Sequence, residues 1–173
     1  MKHPMTTVTE APATDTETDT ATDTATETKT APPPVVYAAA ILWLSAVAFG
    51  AFEAALMIGG RLYEGAAVAE LLPEAGFRLA VFAGAIFLAL RLKAGANWAR
   101  WALAGTLGVF GTLSLVIEPV QWLLDGGSIA AAVAGADAMG WIFATSRILH
   151  VLAVLGALTL MFQPRAGAYF RSA

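Results

Sequence analysis

The chain has 173 residues, 58% hydrophobic and only 13% charged, with a mean hydropathy of +0.67. Soluble domains carry roughly 25% charged residues, so the composition selects a membrane protein; the net charge of −3 comes largely from the first thirty residues, and nothing favours nucleic acid. With no cysteine, disulfides and thiolate chemistry are excluded, and two histidines, His3 and His150, are too few and too far apart for a metal site.

Residues 1–34 read as a disordered tail. From Thr14 to Thr30 threonine alternates with Asp, Glu, Ala and Lys, without aromatic residues. Such a segment cannot bury enough apolar surface to offset its ordering entropy. A basic start followed by a short apolar core is missing, so the tail is not expected to be a signal peptide. It is expected to be a solvated tether, with multiple threonine phosphorylation as the alternative. Pro32, Pro33 and Pro34 close the tail and mark where helix can begin.

Four apolar spans follow, over residues 35–59, 74–92, 98–124 and 139–162. About 20 apolar residues match a ~30 Å hydrocarbon core, so each can cross. The third is the plainest: no charge falls between Trp101 and Ile117, and tryptophans mark both its ends. Gly59-Gly60 is expected to close the first span and residues 61–75 to form a loop. Gly95 and Asn97 are expected to break the second connection, and Asp125-Gly126-Gly127 to end the third span. Residues 128–138 are too short to cross and read as a partly helical loop. Pro164 stops the fourth span before a short tail. Small residues recur four apart at Ala46, Gly50 and Ala54, at Ala80 and Gly84, and at Ala104, Gly108 and Thr112. Such stripes let helices approach closely in lipid. Pro119 is expected to loosen the third helix and free the Leu115 carbonyl one turn earlier.

Four spans put both termini and the middle loop on one side, with Lys29, Arg91, Lys93, Arg100, Arg165 and Arg171. The other side has Arg61 against Glu64, Glu70, Glu74, Asp125 and Asp137. Basic short loops stay cytoplasmic, so both termini are expected inside.

The charges inside the spans are Glu53, Arg78, Glu118 and Arg147. At 1.5 Å per residue, Glu53 lies ~24 Å from Tyr37 and Glu118 ~30 Å from Trp98, while Arg78 lies ~20 Å from Arg91 and Arg147 ~22 Å from Phe162. All four then fall in the outer half of a bilayer. They alternate in sign along the chain and sum to zero. An isolated charge at mid-membrane costs at least ~2.5–3.5 kcal/mol, so they are expected to pair across helices or reach outer water. His150, one turn after Arg147, adds a titratable group to the cluster. The segments after Arg78 and Arg147 also echo one another, RLAVFAG and RILHVLAVLG, which hints at a repeated two-helix unit.

The stretches GANWARWALAGTLGV and FQPRAGAYFR are similar to those of small four-helix integral membrane proteins of high-GC Gram-positive bacteria. The resemblance covers residues 35–173. It implies a plasma-membrane location and a four-helix architecture, and carries over no site residues.

The fold class expected is therefore all-α, an integral membrane four-helix up-down bundle with a disordered N-terminal tail. The expected role is structural or accessory, acting through helix contacts with a membrane-protein partner or further copies of itself in the lipid bilayer. The alternative is a binding or transport module in which Glu53, Arg78, Glu118, Arg147 and His150 hold a small ligand, an ion or a lipid headgroup. No catalytic motif is present, so neither an enzyme nor a cofactor is expected.

Overall fold

A computed structural model of the protein describes residues 31–172. The expectations for residues 1–30, disorder and phosphorylation, lie outside the described residues. The described part is all-helical, with six helices and no strand. They are α1 (Pro34–Tyr63), α2 (Val68–Lys93), α3 (Asn97–Leu124), α4 (Ile129–Gly135), α5 (Ala138–Met161) and α6 (Pro164–Ser172). Four of them, α1, α2, α3 and α5, are long and apolar enough to cross a membrane.

The helix ends follow from local chemistry. Proline is favoured in a first helical turn because its missing N–H would be unpaired there anyway, and Pro34 opens α1. The C-termini of α1, α2 and α3 share one device. Gly65, Gly95 and Gly126 take φ of +92°, +89° and +92°. The amide of the next residue then bonds back to Arg61, Arg91 and Trp122 in turn. This double bond-back closes a helix around one left-handed residue, which glycine adopts without Cβ strain. Ser128 and Asp137 cap α4 and α5 by accepting from the amides of Ala131 (3.3 Å) and Gly140 (2.8 Å).

Several boundaries differ from the sequence reading. Gly59 and Gly60 lie inside α1, because the left-handed turn falls at Gly65. The expected loop over 61–75 shrinks to residues 64–67, and Pro73 sits within the second turn of α2. Asn97 starts α3 rather than breaking the chain, and the short C-terminal tail forms α6. Within α3, Ala104–Gly111 is wound as a π-helix. Gly105, Gly108 and Gly111 fall in it, and glycine's poor helix propensity makes such rewinding easier.

α1 is the central helix, packed chiefly on α5 and α2. The core joins Val36, Ala39, Trp43 and Ala46 of α1 to Ala89 and Leu92 of α2, Leu103 of α3, Ala153, Val154, Ala157 and Met161 of α5, and Ala166 and Phe170 of α6. These positions lie toward the start of α1 and the end of α5. A basic and aromatic collar closes that end. The Lys93 ammonium sits 5.1 Å over the Tyr37 ring, and the Arg100 guanidinium 4.3 Å over Phe162. The Tyr169 hydroxyl donates to the Lys93 carbonyl at 3.2 Å. At the opposite end packing thins, and Thr112–Leu124 buries no residue.

The small stripes expected on α1 and α3 do meet neighbours. Ala46 and Ala54 are buried. A Cβ at Gly108 would lie 3.0 Å from the Leu158 side chain, so glycine there sets the approach of α3 to α5. On α2 the expected pair Ala80 and Gly84 is exposed, and the packed stripe is Ala85, Ala89 and Leu92, one residue along. A spacing of four does not reveal which of two adjacent stripes faces α1.

Trp43, 1% exposed, is the largest side chain fully buried in this core. Trp43→Ala is therefore expected to lower stability in detergent by about 3–5 kcal/mol. Trp141→Ala, at a position 50% exposed, is expected to stay within about 0.5 kcal/mol of the native chain. Denaturant titration of both variants against the native chain measures the contrast.

Candidate functional site

Beyond the core, the four long helices diverge around a cavity of about 390 Å³. Its apolar and aromatic wall includes Trp43 of α1, Phe82 of α2 and Leu115 of α3. Its polar wall contains Glu53 of α1, Arg78 of α2, Glu118 of α3, and Arg147 and His150 of α5. All five polar residues singled out in the sequence thus line one space. Helical periodicity explains the α3 contribution: Gly111, Ser114, Leu115 and Glu118 recur at spacings of three and four and share one face.

Glu53 is 6% exposed. Arg147 Nε donates to its Oε2 at 3.2 Å, which joins α5 to α1. Arg147 Nη1 also donates to the Leu115 carbonyl at 3.3 Å. That oxygen is the one Pro119 leaves without a helical donor, because proline has no N–H. One guanidinium therefore ties three helices together, using the acceptor that the proline sets free.

The remaining charges are arranged differently from the expected alternating network. Arg78 bonds Glu74 of its own helix, at 2.8 Å from Nη2 and 3.2 Å from Nε. Arg61 joins the same carboxylate at 3.5 Å. The extension of α2 back to Val68 explains this, since it places Glu74 one turn before Arg78, where a pair forms without any helix having to approach another. Glu118 makes no ion pair within 4.0 Å among the described residues. It stands on the half of α3 that buries nothing.

His150 is packed against α1 at Gly50, where a Cβ would lie 3.3 Å from its ring and 3.2 Å from Phe82. Glycine at this position lets both rings reach the α1 backbone. Glu53 Oε1, His150 Nδ1, Trp43 Nε1 and Ser146 Oγ are buried with no hydrogen-bond partner among the described residues. Sequence reasoning did not place Trp43 or Phe82 at the site. Spacing held a signal for both, since Trp43, Gly50 and Glu53 share a helical face and Phe82 follows Arg78 by four. Among the described residues, no three His, Asp or Glu side chains converge as a metal site would need. No protein-family model, curated protein or solved structure matches the chain.

The arrangement makes Glu53 and Arg147 energetically coupled, and Glu118 independent of them. Glu53→Gln and Arg147→Gln are each expected to destabilise strongly. The double variant is expected to be more stable than the sum of the singles by about 1–3 kcal/mol. Glu118→Gln combined with Arg147→Gln is expected to be additive within about 0.5 kcal/mol. Unfolding free energies of the singles and doubles in one detergent decide it.

Proposed function

We propose that the protein is a multi-pass plasma-membrane protein, an up-down four-helix bundle whose polar cavity binds a small ligand. The observation that carries this reading is the cavity itself: four helices each contribute an ionisable side chain to one space of about 390 Å³. Small-molecule sites are concave, mostly apolar, and set with a few convergent polar groups. Support for the membrane setting comes from the outward faces. Phe77, Leu79, Phe110, Leu113, Ile148 and Leu152 are all more than half exposed. Apolar surface spread over three helices in this way calls for a lipid solvent. The short connections favour antiparallel neighbours, and the basic collar, set against the acidic far loops, supports a cytoplasmic location for both termini. Arg78 and Arg147, each with a side chain 34% exposed, then lie toward the outer face.

A second reading, an accessory protein acting through helix contacts, is favoured by one feature. Phe49, Phe52, Trp141, Ile142 and Leu149 line an apolar groove between α1 and α5. Native mass spectrometry from mild detergent separates the two. The cavity reading expects a small-molecule or lipid adduct that is lost in Ser114→Trp, which fills the cavity from an exposed position. A bound protein partner or second copy, retained in Ser114→Trp, with no small adduct, supports the accessory role instead.

Orientation is tested on whole cells, helped by the cysteine-free background. Cysteine at position 64 is expected to react with an impermeant maleimide and cysteine at 93 to be protected. The reverse pattern would place the termini outside.

A further inference from the structure

Building on the cavity reading, we propose that the ligand is an organic cation whose ammonium group docks on the Glu118 carboxylate and whose apolar body lies along the wall that Phe82 and Leu115 line. Two of the three charges besides Glu118 on the cavity wall, Glu53 and Arg147, neutralise each other at 3.2 Å. The third, Arg78, is held by Glu74 at 2.8 Å. Arg147 spends a further donor on the Leu115 carbonyl. An anion entering the cavity would have to compete with these bonds for its cation. A cation meets Glu118, which no basic side chain engages within 4.0 Å among the described residues. Glu118 is exposed at the cavity wall, and a carboxylate on an apolar span gains from a counter-charge there.

The rest of the wall fits the same chemistry. Phe82 of α2 lines the cavity with its ring, and Leu115 of α3 adds apolar surface beside it. Aromatic faces attract ammonium groups, more strongly where water is excluded. The second oxygen of Glu53 has no hydrogen-bond partner among the described residues, so the α1 wall keeps an open acceptor as well. A metal ion is disfavoured, because the described residues offer no group of three ligating side chains. An ammonium on an apolar body needs only one carboxylate, and a cavity of about 390 Å³ holds such a molecule.

Three isosteric probes of different charge test this on the full-length protein in detergent: benzylammonium, benzyl alcohol and benzoate, by titration calorimetry. Benzylammonium is expected to bind at least about tenfold more tightly than benzyl alcohol, and benzoate most weakly. Glu118→Gln is expected to abolish the preference for the cation while leaving the benzyl alcohol affinity unchanged, which also shows that the variant is folded. Asp125→Asn, an acid outside the cavity lining, is expected to keep the preference. Benzoate binding as tightly as benzylammonium, or a cation preference that survives Glu118→Gln, would overturn the proposal. Benzyl alcohol binding with no gain for the cation would overturn it too, while leaving the cavity reading intact. Binding of none of the three would count against both.

Discussion

A carboxylate enclosed by apolar helices has to find a permanent counter-charge, and Glu53 finds it in Arg147 across the α1–α5 interface. Leaving such a group unpaired costs about 3–5 kcal/mol when burial is complete, so the two helices are held in one register wherever else they slide. The remainder of the site builds on this pair. Arg147 is about one third exposed, and from that position it reaches the Leu115 carbonyl. Thr112–Leu124 buries nothing of its own, so among the described residues this bond from another helix is the polar tether for the outlying half of α3. Pro119 is therefore part of the tether, because it leaves the carbonyl open.

The same thin packing produces the cavity. Near the collar, α3 is fixed by Leu103 and by Gly108 against Leu158. The π-wound segment Ala104–Gly111 adds residue length to each turn and so rotates the face that follows. Beyond it Ser114, Leu115 and Glu118 line a space instead of meeting α1. The structure thus divides into a packed end, where small residues and rings fill the interior, and an open end, where charged groups do. That division follows from the sequence placement of Ala39, Ala46, Ala153 and Ala157 at one end and Glu53, Glu118 and Arg147 at the other.

The long helices were legible in the sequence because apolar length is a strong signal, and the common depth of Glu53, Arg78, Glu118 and Arg147 follows from a rise of ~1.5 Å per residue. Their partners were not legible. Depth does not give the angle at which a side chain leaves its helix, and the pair Glu74–Arg78 depended on α2 beginning at Val68. That start was obscured by Pro73, which reads as a breaker but sits early enough in α2 to be tolerated. Gly59-Gly60 misled for a related reason, since a glycine pair marks a possible turn, but of Gly59, Gly60 and Gly65 the left-handed φ falls at Gly65. The freed Leu115 carbonyl was readable from Pro119 alone; that Arg147 would occupy it was not. The π-winding left a trace in the three-residue spacing of Gly105, Gly108 and Gly111, which shows where a helix yields but not how.

The proposed function requires a polar cavity that water reaches, between helices whose outer faces meet lipid. Reaction of single cysteines along α3 with a small charged thiosulfonate, in proteoliposomes, tests it most directly. Cysteines at positions 114, 115 and 118 are predicted to react, and those at 113, 116 and 117 to be protected, since only the first set lines the cavity. Uniform protection along α3, or reaction confined to positions 113, 116 and 117, would contradict the account.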